Sequence, residues 1–73
     1  MKLKEARKRK LLTVDELATK AGIAPSTINK IEQGDSVPSL KTIRKIAPIL
    51  EIDPLDVEEF KAAIEKGTIE QPK

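Results

Sequence analysis

Between Pro25 and Gln33 the chain gathers side chains suited to hydrogen bonding with a ligand: Ser26, Thr27, Asn29, Lys30 and Gln33. Ile28 and Ile31 are three residues apart, which on a helix places them on one face. With that face turned inward, Pro25, Ser26, Asn29, Lys30 and Gln33 point outward and Thr27 lies at the edge. The outer surface then offers short hydroxyls, amides that both donate and accept, and an ammonium. No carboxylate stands between Pro25 and Lys30. This is chemistry for recognising a surface, not for making or breaking bonds. The chain has no histidine and no cysteine, which excludes Ser-His and Cys-His pairs, disulfides and the usual zinc-ligand sets. Neighbouring acids such as Glu58 and Glu59 fall on a solvated helix without a metal-ligand set, so no enzyme, metal or cofactor is expected. The competing reading of the 25–33 face is an ordinary solvated helix surface.

The segments on either side decide how that face is presented. Leu17, Ala18 and Ala21 predict a short helix that a second helix can cross closely, with Ile28 and Ile31 packing back on Leu17 and Ala21. Gly22 follows the last periodic residue, where a left-handed turn suits glycine. Thr13-Val14-Asp15-Glu16 is a capping box that starts this helix. Pro25 is a good first residue for the next one, which stops near Gln33-Gly34. Two short helices joined by a sharp turn form the helix-turn-helix pattern, and it points to DNA.

Five helices account for nearly the whole chain, so the expected fold class is all-α, a compact five-helix bundle without strands or repeats. The first helix runs from about Lys2 to Lys10, with Leu3, Ala6 and the stem of Lys10 inward. Ser39 caps a fourth helix bearing Leu40, Ile43, Ile46, Ala47 and Leu50 at helical spacing. Pro48 lies late in it and predicts a kink or an early end. Asp53-Pro54 starts a fifth helix to about Lys66, with Leu55, Val57, Phe60, Ala63 and Ile64 on its apolar side and Gly67 ending it. Residues 1–66 are therefore one domain, and residues 67–73 read as a short disordered tail.

Over residues 3–60 the chain resembles the phage-repressor and Cro-type helix-turn-helix family, the Xre-like DNA-binding domains. The resemblance rests on Leu3 and Arg7, on Leu-Thr-x-x-Glu-Leu-Ala at Leu12 to Ala18, and on Ala-Gly-Ile from Ala21. It continues through Pro-Ser-Thr-Ile at Pro25 to Ile28, Ile-Glu-x-Gly at Ile31 to Gly34, and Pro-Ser-Leu at Pro38 to Leu40. It implies a lambda-repressor-like arrangement in which helices 2 and 3 form the helix-turn-helix and helix 3 lies in the major groove of double-stranded DNA. Base contacts then fall to Pro25, Ser26, Thr27, Asn29 and Lys30, with Asn29 suited to adenine and Lys30 to guanine O6 and N7. Backbone contacts fall to Thr13 with the first amides of helix 2, and to Lys20, Gln33, Ser36, Ser39 and Lys41. Arg7 and Glu32 match a partly buried structural ion pair, the rival being contact of Arg7 with DNA. Leu11 and Glu51 stand where the family often has glycine.

Composition sets the remaining bounds. Residues 1–30 hold eight lysines and arginines against three carboxylates, whereas residues 51–73 hold seven carboxylates against three lysines. One end should attract a polyanion and the other repel it. A core with one phenylalanine and no tyrosine or tryptophan is small, so a second subunit would add useful burial. Ile49, Ile52, Val57, Phe60 and Ile64 are the expected homodimer surface, unless Phe60 and Leu55 close the monomer core. No apolar run approaches the ~20 residues of a membrane span, so a cytoplasmic protein is expected. The favoured function is a sequence-specific transcriptional regulator, a repressor. The alternatives are an antitoxin-type regulator that also binds a toxin protein, and a protein-interaction module on the same fold.

Overall fold

The computed structural model describes the backbone of residues 1–70 and the side chains of residues 1–66. Five α-helices follow one another: α1 Leu3–Arg9, α2 Val14–Ala21, α3 Pro25–Gln33, α4 Leu40–Leu50 and α5 Glu58–Glu70, with a 3-10 turn at Pro54–Asp56 before α5. No strand occurs among the described residues. The core takes one stripe from each helix: Leu3 and Ala6, Leu17 and Ala18, Ile28 and Ile31, Ile43, Ile46, Ala47 and Leu50, then Val57, Phe60 and Ala63. Each fully buried aliphatic or aromatic side chain contributes roughly 1.5–3 kcal/mol.

The local stop signals act as the sequence predicts. Gly22 (φ 70°) and Gly34 (φ 81°) cap α2 and α3 in the left-handed conformation. A Cβ at either glycine would meet nothing within 4 Å, so the backbone torsion, not crowding, selects glycine there. After Gly34, the Asp35 amide donates to the Lys30 carbonyl at 2.9 Å, closing the helix end.

Of the two outcomes expected at Pro48, an early end does not occur, because α4 continues to Leu50. The Glu51 amide then donates to the Pro48 carbonyl (3.2 Å) and the Ile52 amide to that of Ala47 (3.4 Å). The fifth helix does not start at Asp53-Pro54. Asp53 caps only the 3-10 turn, accepting from the Leu55 amide at 2.9 Å, and Val57 is extended (φ −100°, ψ 121°). The reason lies in the helical stripe: Val57, Phe60 and Ile64 share a face, whereas Leu55 would lie roughly 200° away from Val57. The break lets Val57 enter the core while Leu55 stays 53% exposed, so Leu55 is not an inner residue. At the far end α5 passes through Gly67 to Glu70; residues 71–73 of the expected tail lie outside the described residues.

Val57 and Phe60 are fully buried within the single chain, so neither belongs to a dimer surface. Ile49, Ile52 and Ile64 are partly buried and packed on the core. Lys10 is likewise not an inward residue of α1. It is exposed, and its ammonium pairs with Glu51 at 2.6 Å.

The basic start of the chain folds onto its acidic second half. The Met1 ammonium donates to the Asp56 carbonyl (2.7 Å) and the Leu3 amide to Glu59 Oε1 (2.8 Å). The Glu58 amide donates to the Met1 carbonyl at 2.8 Å, and Lys2 pairs with Glu58 at 3.4 Å. Charges that the sequence separates into two ends are thus partly neutralised side by side.

Leu11 (φ 59°) and Glu51 (φ 54°) both adopt the left-handed conformation, where the resemblance expects glycine. For Leu11 the strain is about 1–2 kcal/mol. The hydrogen bond and charge of Lys10 hold the Glu51 carboxyl below its usual range. A depressed folded value means the pair's contribution is present above the unfolded glutamate value and is lost as pH falls through the folded one. An NMR pH titration should find the Glu51 carboxyl titrating below the ordinary glutamate value, and Lys10→Ala should raise it.

Candidate nucleic-acid interface

The rear of α3 is fixed by Ile28 and Ile31, 0% and 1% exposed. That anchoring leaves Pro25, Ser26, Asn29, Lys30 and Gln33 exposed, with Thr27 half-buried at the edge. The outer face therefore has the composition and orientation read from the sequence. Ala24 provides no side-chain cap. The Thr27 amide donates to the Ala24 carbonyl at 3.0 Å, so the Ser26 amide is the one left open in the first turn.

Thr13 closes the full capping box at the start of α2. The Thr13 amide donates to Glu16 Oε1 (2.9 Å) and the Glu16 amide to Thr13 Oγ1 (3.0 Å). These two backbone donors are satisfied by each other's side chains, as the capping box predicts. The amides of Val14 and Asp15 and the Thr13 hydroxyl proton remain at that helix end.

Across α3, the 35–39 loop exposes Asp35, Ser36, Val37 and Ser39 and buries Pro38. Ser39 Oγ accepts from the Thr42 amide (3.1 Å) and donates its proton to Thr42 Oγ1 (3.0 Å). The hydroxyl proton left over is that of Thr42, a residue the sequence reading did not single out. Its signal was the Ser-x-x-Thr spacing at a helix start. Lys41 is exposed, as are Arg44 and Lys45 further along α4, two cations also not singled out. Lys20 is exposed on α2 and lines one depression with Lys10, Pro48 and Ile49 and another with Asp15, Glu16 and Thr19.

Arg7 ties the two sides together. Its Nε donates to Glu32 Oε2 (2.8 Å), its Nη2 to Glu32 Oε1 (3.1 Å) and its Nη1 to the Leu12 carbonyl (2.8 Å). Both side chains are 9% exposed. The hydrogen bond to Glu32 raises the guanidinium further above its ordinary value, against the opposing effect of burial. One planar cation thus sets the end of α3 and the residue before the Thr13 cap, and its donors are directed inward. No buried side-chain nitrogen or oxygen among the described residues lacks a partner.

Among the described residues no group of three or more carboxylates is arranged to hold a metal ion, and no helix is long and apolar enough to cross a membrane. A helix-turn-helix family model matches residues 3–57, and the chain belongs to that family. A protein of Bacillus subtilis (strain 168) named "Uncharacterized HTH-type transcriptional regulator RghRB" is 43% identical over 51 residues, covering 68% of this chain and 37% of that protein. The chain therefore matches little more than a third of that relative's length. No solved structure gives a significant match.

Proposed function

We propose that this chain is a sequence-specific double-stranded DNA-binding transcriptional regulator that reads the major groove with α3. The observation that carries the reading is the α3 surface: a carboxylate-free run of Pro25, Ser26, Thr27, Asn29 and Lys30 held outward by two buried isoleucines. A helix fits the major groove, and short hydroxyls, an amide and an ammonium match the donors and acceptors on base edges. Membership of the helix-turn-helix family and the likeness to a protein named as a transcriptional regulator support the same reading. Lys41, Thr13, Thr42, Gln33 and Ser36 serve the flanking phosphates, which position the helix without reading sequence. A protein-interaction module would be free to carry carboxylates on this face; none stands between Pro25 and Lys30. Repression follows if the operator overlaps a promoter, with two copies on paired half-sites about one helical turn apart.

Selection from a randomised duplex pool at near-physiological salt tests this, run beside a Ser26→Ala/Lys30→Ala double variant. Recovery of a defined site by the natural chain, lost in the variant, is the expected result. Binding without any enriched sequence would overturn the specific reading and leave only counterion-driven attraction. Lys30→Ala alone should cost about 1–3 kcal/mol at particular base positions while leaving others unchanged. Competition binding across single-base variants of the site measures this.

A further inference from the structure

The cations of α1 and those of α4 are treated differently by the fold. Lys2, Arg7, Arg9 and Lys10 are paired with Glu58, Glu32, Glu5 and Glu51 respectively. Lys41, Arg44 and Lys45 on α4 have no carboxylate partner among the described residues. All three are exposed, whereas Ile43, Ile46, Ala47 and Leu50 turn the opposite side of the helix into the core. Standing three and four residues from Lys41, Arg44 and Lys45 form one stripe with it. No carboxylate occurs from Ser36 to Leu50, and the first one past the stripe, Glu51, is held by Lys10. Local stability does not account for this arrangement. Like charges at such spacing repel one another. A helix dipole also favours acids in the first turn and cations in the last, and α4 has neither, while Lys41 lies near its start.

We infer that Arg44 and Lys45 extend the DNA-binding surface along α4 and hold the phosphodiester backbone of the duplex that α3 enters. The inference rests on the reading of α3 as a groove-binding helix, and it adds two positioning residues to it. The stripe is continuous with the edge already assigned to phosphates, since Lys41 belongs to both. Its length also suits the occupant. Lys41 and Lys45 are separated by about 6 Å along the helix axis, and phosphates of one strand succeed one another by roughly 3.4 Å along the duplex. A stripe of one sign has nothing to repel a polyanion, and an ammonium or guanidinium on a long stem can follow phosphate oxygens. Such contacts add affinity and register without reading bases.

Binding of the full chain to a mixed-sequence duplex, followed from about 50 to about 200 mM salt, tests it. Arg44→Gln/Lys45→Gln should reduce the slope of log K against log salt by about 1.8, or roughly 0.9 for each phosphate no longer neutralised. Binding at the low-salt end should weaken at least tenfold. Lys61→Gln/Lys66→Gln removes the same charge from exposed positions on α5 and should leave the slope unchanged. The melting temperature of the α4 variant without DNA should be unchanged or raised, because a like-charge contact is relieved. A slope that the α4 variant leaves intact would overturn the inference and turn attention to an acidic protein surface. A slope that the α5 variant lowers equally would also overturn it, because net charge alone would then explain the loss. The result is separable from that for α3. A lowered slope with no enriched sequence in the duplex selection would support the α4 surface and overturn base reading, and an enriched site with an intact slope would do the reverse.

Discussion

Phe60→Ala is expected to lose about 3–5 kcal/mol of folding free energy. Phe60 is 0% exposed and heads the fully buried side chains by volume. It belongs to the cluster that Leu3, Ile46, Val57 and Ala63 also form, so truncation leaves a cavity bordered by several elements. At roughly 0.05–0.15 kcal/mol per residue, a chain of this length has a total stability of about 4–11 kcal/mol. The loss therefore spans from about a quarter of that reserve to all of it. Urea unfolding followed by far-UV circular dichroism measures it. Phe60→Leu, which keeps most of the volume, should recover the larger part. A midpoint unchanged by the alanine substitution would show that the side chain does not close the core.

Arg7→Ala should be as damaging, about 3–5 kcal/mol, for a different reason. The substitution leaves the Glu32 carboxylate without its bidentate partner at a site where both side chains are 9% exposed. An uncompensated charge in such a place costs more than the pair itself contributes. It also removes the donor to the Leu12 carbonyl, loosening the residue before the Thr13 cap. Arg7→Met/Glu32→Leu should recover most of the loss, since an apolar pair of similar volume avoids desolvation. The comparison of single and double variants by urea unfolding separates a stranded charge from lost packing. A double variant as unstable as the single one would mean that the Leu12 contact or side-chain volume dominates.

Local chemistry made much of this protein legible from its sequence. The caps at Thr13, Gly22, Gly34 and Ser39 depend on torsions and hydrogen bonds within four or five residues, and those signals need no tertiary information. The outward face of α3 was legible because Ile28 and Ile31, three apart, leave one way to orient the helix. The Arg7–Glu32 pair was legible only through the family resemblance, since nothing in a separation of 25 residues announces a contact.

Tertiary structure decided the rest. Whether Val57 and Phe60 face a partner or the chain's own core depends on the space that α1 and α4 leave, and the monomer takes them both. Pairing of the chain's start with the Asp56–Glu59 segment spans more than 50 residues, so the sequence showed two charged ends where the fold makes one mixed surface. Apolar periodicity determines which residues seek burial. Only the assembled helices determine what is available to bury them.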